Sequence, residues 1–481
     1  MREYEYIIDK ALNKGLTPAR TILTNDEWLS GALGFRVGRH GLEGYRIKDD
    51  TPLDGVVDLD YSWPFPQWLS GERYNILVSR DSTVDLEDSV YSITDEYVST
   101  HVFDVDVLTF GTGTLMQMAD FGEYVVLVNG VVIIYYDPDL GGWTNMRSSA
   151  TFPCMRTICN SMGQAVGGGV IGLWNPVTLT YDSWHDCDET YYIWSKIGSI
   201  DFTPDESNEA GYKRDPYGGD VYHTKRLGKN VIGYSSKGVT RIYPVTSPAA
   251  TFGFDELSDI GPINRGAMDG NLHRHIYVGT DYIIREVTSE GIKELGYYYW
   301  MESLGDCDED IIVSYDNQNN DFYIGTSTET YLLSQYGLTK LPQHPSAVWS
   351  IPSYDDEVVM LPVTQDTGWK PLLASGIFDF GYRGQKTIFS IESDALLTIE
   401  PTVTIGWANT LAVWGYTSAV QLNNEGLAAI VASGNDFIVQ FTFTFVGAFS
   451  PITYVKVRYK MTDLRGIRGV YAPPIRGQGG E

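Results

Sequence analysis

The feature that most constrains the fold is a strand–turn–strand unit that returns about every 45 residues. Its clearest form is FGEYVVLVNGVVIIYYDPDLGGW at 121–143. Asn129-Gly130 supplies the left-handed pair of a tight hairpin turn. The flanking runs 125–128 and 131–136 are apolar on both faces, as strands buried on both sides must be. LGKNVIGYSSKGVTRIYPV at 227–245 repeats the unit, and AVGGGVIGLWNPVTLTYD at 165–182 is a weaker copy. RHIYVGTDYIIREV at 274–287 and NDFYIGTSTETYLL at 320–333 match each other. Anchored in the second strand, the copies fall at Val126, Ile171, Ile232, Tyr277 and Tyr323, spaced 45, 61, 45 and 46 residues. Ile76 lies 50 residues before this series and Val359 lies 36 after it.

Units of this length, built from four short strands, expose two sheet faces each and bury them by stacking radially. The expected fold class is therefore all-β: a six- or seven-bladed β-propeller over 70–375, with an appended antiparallel β-sandwich-like domain. A string of sandwiches is the competing architecture, but it requires no constant period. The composition agrees, with 33 Tyr, 12 Trp, 18 Phe and 50 Gly in 481 residues. The long interval holds DFTPDESNEAGYKRDPYGGD at 201–220, which reads as an inserted loop.

After 375 the pattern changes to strict alternation. In 437–445, Phe437, Val439, Phe441, Phe443 and Phe445 share one face. In 453–461, Val455, Val457, Tyr459 and Met461 oppose Tyr454, Lys456, Arg458 and Lys460. One apolar and one polar face indicate sheets packed on one side, here assigned to 376–465. The end, 466–481, is rich in Gly and Pro and reads as an extended tail. At the other end, 1–69 is an N-terminal arm and lead-in. Tyr4, Ile7, Ile8, Ala11 and Leu12 suit a short helix over 3–14, with Gly15 at its C-terminal cap.

Charge narrows the function. With 62 acidic and 34 basic residues the net charge is −28, which opposes general nucleic-acid binding and adsorption to anionic membranes. The same sign suits a wall that nucleic acid slides past. Four cysteines are too few for a disulfide scaffold, and neither a signal peptide nor a membrane-spanning run of 18 apolar residues is found. The reading is a protein made and kept in a reducing cytosol, or assembled there into something larger.

No nucleophile elbow, phosphate loop, zinc-protease motif or Cys-x-x-Cys pair occurs. His273 and His275 would share a strand face, but no third ligand is spaced for a metal. HDCDE at 185–189 and DCDED at 306–310 lack the spacing and central Gly of a Ca²⁺ loop, and read as solvated loops. The repeated Ser-x-Asp-x-Gly-x-Thr-Trp turns of sialidase propellers are absent, with DPDLGGW at 137–143 the nearest approach. The expectation is no enzyme, no cofactor and no metal, and the alternative is a soluble propeller lectin or glycoside hydrolase. One charge feature runs against the acidic background. Within 456–476, Lys456, Arg458, Lys460, Arg465, Arg468 and Arg476 stand with only one acidic residue, Asp463, and form a candidate subunit interface.

Three stretches carry a resemblance: GFRVGRHGLEGYR at 34–46, TFGFDELSDIGPINRGAMDGNLHRHIYVGTDYIIREV at 251–287, and SGIFDFGYRGQKTIFSIE at 375–392. Together they resemble the β-propeller tail-hub or nozzle proteins of short-tailed bacteriophages, which include packaged-DNA stabilisation proteins. The likeness follows most of the chain in order. It implies a virion protein, assembled in the host cytoplasm into a ring of six below the portal and its adaptor. Such a ring continues the DNA channel without sequence-specific binding, retains the packaged genome and anchors tail fibres or tailspikes. It implies no catalytic or cofactor-binding residue.

Overall fold

Tyr61–Leu69, Glu72–Asp81, Glu87–Thr94 and Ser99–Asp106 form the first of six consecutive four-stranded antiparallel meanders in a computed structural model of the chain. The structure describes residues 3–19, 27–45, 61–69, 72–81, 87–94, 99–106, 117–122, 124–131, 133–137, 142–246, 251–305, 311–316, 319–326, 328–350, 358–365, 369–381, 384–395, 401–410, 413–444 and 451–462. Of 61–106, 137, 142–143, 345–350 and 358–365 it describes the backbone alone. The second meander is Gln117–Asp120, Val125–Val128, Ile133–Asp137 and Gly142–Asn145. The third is Cys154–Ser161, Gln164–Asn175, Tyr191–Trp194 and Gly211–Arg214, with Thr180–Asp182 extending the long second strand as a hairpin. The fourth is Val221–Leu227, Asn230–Ser235, Gly238–Val245 and Thr251–Ser258. The fifth is Met268–Gly270, His275–Val278, Ile284–Thr288 and Gly291–Gly296, and the sixth Ile312–Asp316, Asp321–Gly325, Thr330–Leu333 and Leu338–Leu341. A two-stranded hairpin, Gln343–Ser350 with Val358–Gln365, follows.

Every periodic anchor lies on the second strand of its unit, Ile76 through Tyr323 in the meanders and Val359 in the hairpin. The reason is packing. Successive meanders bury their faces against each other, and the second strand lies inside the sheet. Val126, Val128, Cys154, Met155, Ile158 and Ile193 fill the space between the second and third meanders. Val166, Tyr192, Val221, Val231 and Ile242 fill the next, and Ile232, Tyr234, Met268, Tyr277 and Val287 the one after. The first strands adjoin: Gln117–Asp120 packs on Cys154–Ser161, that strand on Val221–Leu227, and Met268–Gly270 on Ile312–Asp316. Gln343–Ser350 lies between Ile312–Asp316 and Tyr61–Leu69.

The sixth meander does not end at its fourth strand. Leu338–Leu341 pairs in parallel with Leu29–Leu33, which continues through Leu372–Ser375, Asp436–Thr442, Thr402–Thr410 and Val413–Tyr416. With Val420–Gln421 this makes a ten-stranded sheet. Facing it is a second sheet in the order Glu3–Ile8, Val455–Met461, Lys386–Ser393, Leu427–Gly434. The two share an interior with the fifth and sixth meanders, containing Ile388, Ile391, Val403, Phe437, Val439, Phe441, Val457, Ile324 and Leu338. The alternation after 375 is realised: Phe437, Val439, Phe441 and Phe443 are buried, while Ile438, Gln440 and Thr442 are half-buried. Phe445 lies outside the described residues.

Three expectations need correction. The 3–14 segment is not a helix: Glu3–Ile8 is an edge strand, followed by one 3₁₀ turn at Ala11–Asn13 and Gly15 at φ +72°. Its aromatic and β-branched side chains favour a strand, and an alternating Glu-Tyr-Glu-Tyr pattern fits a half-buried edge. Tyr4 and Tyr6 turn inward while Ile7 is 52% exposed, the reverse of its place on the helical face. Second, 201–220 is not loop throughout, because Gly211–Arg214 supplies the fourth strand of its meander. Third, the 129–130 hairpin loop is longer than two residues. Val128 pairs with Ile133, and the Gly130 N–H donates to the Met155 carbonyl of the next meander at 2.8 Å.

Candidate subunit interface

Val455–Met461 lies inside the smaller sheet, between Glu3–Ile8 and Lys386–Ser393. Its inward residues Val455, Val457 and Tyr459 are buried, which forces Lys456, Arg458 and Lys460 onto the outer face. There the register sets Lys460 opposite Glu3 and Arg458 opposite Glu5. The resulting ion pairs are Lys460 Nζ to Glu3 at 3.0 Å and Arg458 Nε to Glu5 at 3.2 Å. On the other side Glu392 accepts from Lys456 Nζ at 3.1 Å and from Arg458 Nη2 at 2.8 Å. Three of the six candidate interface cations thus have acidic partners within the chain, and the patch is a mixed-charge ladder. Arg465, Arg468 and Arg476 lie outside the described residues.

The ladder clasps the N-terminus, and aromatic rings hold its other side. Tyr4 stacks on Tyr459 with centroids 5.5 Å apart, and Tyr6 stacks on Phe378 at 5.4 Å. Phe380 lies 3.9 Å from Tyr459. Phe378 and Phe380 belong to the SGIFDFGYRG stretch of the resemblance. Beside the ladder, the edge strand Leu427–Gly434 presents Ala429 and Val431 outward, Val431 at 70% exposure. An apolar edge of eight residues, without Lys or Pro on it, is a template for association.

The other two stretches of the resemblance also fix elements to each other. The hairpin Phe35–Gly38 with Gly41–Gly44 docks on the sixth meander through Arg36, whose guanidinium donates to both Asp321 oxygens at 2.5 and 3.1 Å. Glu43 lies 3.2 Å from the same guanidinium. Burial opposes the Arg36 charge, but Asp321 and Glu43 outweigh it and raise its pKa. Burial also raises the Asp321 carboxyl, against the pull of Arg36. In the DIGPI stretch, the Ile263 N–H donates to Val278 at 2.9 Å and the Gly261 carbonyl accepts from Thr280 at 3.1 Å, so the entry loop closes on the fifth meander.

The remaining polar candidates are structural. His273 and His275 do not share a strand face, because the strand begins at His275 and His273 sits exposed in the preceding turn. His275 lies 3.0 Å from Tyr234 Oη and 3.1 Å from the Arg226 carbonyl. Burial, followed by the Lys225 charge, pushes its pKa down to about 3, and His223 is lowered to about 3 for the same two reasons. In 185–189, His185 and Asp186 form a tight left-handed turn closed by Cys187 N–H to the Trp184 carbonyl at 2.9 Å. Asp188 accepts from Thr190, and Glu189 pairs with Arg156 at 2.6 Å, so two of the carboxylates are spent on local structure. Cys154, Cys159 and Cys187 are free and buried, with burial pushing each thiol up to about 12. Cys307 and 306–310 lie outside the described residues. Among the described residues, no three His, Cys, Asp or Glu side chains gather in a metal-holding group.

No family model and no curated protein matches this sequence. Among solved structures the chain is similar to PorZ, an essential bacterial surface component of the type-IX secretion system of Porphyromonas gingivalis. That match has 10% identity and a TM-score of 0.35, over 68% of this chain and 43% of PorZ. The matched region thus spans less than half of the PorZ chain. The chain is also similar to Kluyveromyces lactis Hsv2, at 10% identity and a TM-score of 0.33, over 62% of this chain and 85% of Hsv2. At these values neither likeness carries a functional argument. Among the described residues no helix is long and apolar enough to cross a membrane.

Proposed function

We propose that this chain is a structural subunit of the tail of a short-tailed bacteriophage. In this reading six copies form a ring below the portal and adaptor, continue the DNA channel, retain the packaged genome and anchor fibres or tailspikes. The six meanders and the hairpin at 343–365 are the seven blades of a propeller. The adjoining first strands and the cores between successive sheets support that closure.

The observation that carries the reading is the ten-stranded sheet. It joins the last meander to the two-sheet unit by main-chain hydrogen bonds and a common core. A wall element that holds a compacted genome needs that stiffness. The three stretches of resemblance add to it, each sitting at a junction between elements. The net charge of −28 keeps such a wall from gripping DNA. The apolar edge at Leu427–Gly434 offers a surface for neighbouring copies. Native mass measurement of the purified chain and protein mass spectrometry of intact particles test this directly. A closed oligomer, with the chain present in tails, is expected. A stable monomer absent from particles sinks the proposal.

A further inference from the structure

Between the fifth and sixth meanders lies a cleft of about 380 Å³, within the range of clefts that hold small ligands. One wall comes from the fifth meander: Arg274, Glu286, Lys293, Leu295 and Tyr297. The other comes from turns of the sixth: Asn320, Leu333 and the Ser334–Gly337 turn. These turns are held rigidly. Asn320 is left-handed at φ +58° and accepts from Tyr315 Oη at 2.9 Å. Ser334 Oγ donates to the Val37 carbonyl at 2.8 Å, and a Cβ on Gly337 would meet the Lys14 carbonyl oxygen at 1.9 Å.

The charges of the cleft are unbalanced. Arg274 pairs with Glu286, cancelling both. Lys293 sits opposite Glu286 in the strand register and is exposed, and it makes no ion pair of its own among the described residues. One uncompensated ammonium therefore remains in a chain of net charge −28. The rest of the lining is neutral but directional. Gln335 offers an amide that both donates and accepts, Asn320, whose Oδ1 already accepts from Tyr315, offers its amide N–H, and Tyr336, at 43% exposure, offers an aromatic ring. Leu295 and Leu333 supply apolar surface.

We propose that this cleft binds a carboxylated saccharide. Amides match vicinal hydroxyls, an aromatic ring covers the apolar face of a pyranose, and the ammonium of Lys293 takes the carboxylate. An acidic peptide would satisfy Lys293, and its backbone the amides, but it presents no flat pyranose face to the Tyr336 ring. The site is independent of the ring assembly proposed above, since it is built within one chain.

The test is calorimetric or NMR titration of the full chain with methyl β-D-glucuronide, methyl β-D-glucoside and N-acetylglutamate. Saturable binding of the glucuronide is expected, at least about tenfold tighter than the glucoside, which corresponds to about 1.4 kcal/mol. Lys293→Gln abolishes that preference, and Tyr336→Ala weakens the glucuronide at least about fivefold. Both side chains are exposed, so both variants fold, which their thermal melts verify. Absence of saturable glucuronide binding up to about 10 mM overturns the proposal. So does N-acetylglutamate binding as tightly as the glucuronide.

Discussion

The meander series and the two-sheet unit keep their charges in opposite places. Between meanders the polar groups are inside. Arg285, 2% exposed, is held by both oxygens of Asp281 at 2.6 Å and by Glu294 at 2.8 Å. His223 and His275 are buried, and Asp215 accepts from Gly219 N, Ser235 Oγ and Thr240 Oγ1 at 3.0, 3.0 and 3.3 Å. In the two-sheet unit the interior is aromatic and aliphatic, and the ion pairs stand on the outer face. Lys386, buried and donating to the Asp379 carbonyl at 2.7 Å, is its exception. The contrast separates two kinds of sensitivity. Buried titratable groups tie the meanders to pH, whereas the two-sheet unit depends on packed area and answers only weakly to salt.

The largest effect is expected from Phe437→Ala. Phe437 is fully buried, so the truncation costs about 3–5 kcal/mol in denaturant unfolding. The interior is continuous with the fifth and sixth meanders, so hydrogen exchange should rise in Ile276 and Ile324 as well as in the two-sheet unit. Exchange confined to the two-sheet unit would show that the two regions unfold separately.

A smaller effect, and the sharpest test of the contrast, comes from acid. The folded state keeps His275 neutral down to about pH 3, while the unfolded chain takes up its proton near the ordinary 6.5. Its stabilising share is therefore complete above 6.5 and lost as pH falls, at about 1.4 kcal/mol per pH unit. Asp215 and Asp321, whose carboxyls burial raises, act in the opposite sense and gain stability on acidification. The readout is thus a difference. Relative to the parent chain, His275→Gln should recover about 2–3 kcal/mol between pH 6.5 and 4.5. Parallel stability curves for the two proteins would remove the buried neutral imidazole from the account.

The smallest effect belongs to the ladder. Glu3→Lys with Glu5→Lys sets like charges opposite Lys460 and Arg458. These pairs are exposed, so the loss should stay below about 1 kcal/mol for each and shrink at high salt. A larger, salt-independent loss would mean that the clasp, rather than the aromatic interior, holds the N-terminus.

What the sequence revealed, and what it hid, follows from the range of the deciding contacts. The second strands were legible because Val126, Ile232, Tyr277 and Tyr323 are buried on both faces by local, repeating partners. The alternation at 437–443 and 455–461 was legible because each strand has one wet face. Tyr4, Ile7 and Ile8 fit period 3.6 and a strand equally well, and the partner that decides, Val455–Met461, lies at the far end of the chain. Gly211–Arg214 is a polar outermost strand whose neighbours, not its composition, make it a strand. The helix Tyr298–Gly305 is rich in aromatic strand formers, and folds as a helix because Met301 and Leu304 are buried and Trp300 Nε1 reaches the Thr17 carbonyl at 2.9 Å. Of the candidate interface, the cations were visible in the sequence. Their partners Glu3, Glu5 and Glu392 were not, because cross-strand register joins residues that sequence distance separates.

The insertion of Leu29–Leu33 between Leu338–Leu341 and Leu372–Ser375 dictates an order of events during synthesis. Neither neighbour exists until most of the chain has left the ribosome, and Glu3–Ile8 waits still longer for Val455–Met461. At roughly 5–20 residues per second, that wait is on the order of 20–90 s. Throughout it, Tyr4 and Tyr6 have no sheet to join, and Leu29–Leu33 has none until 338–341 is made, while the middle meanders can already pack. Termination before residue 338 leaves both N-terminal strands without a neighbouring strand, whereas termination between 442 and 455 leaves Glu3–Ile8 alone unpaired.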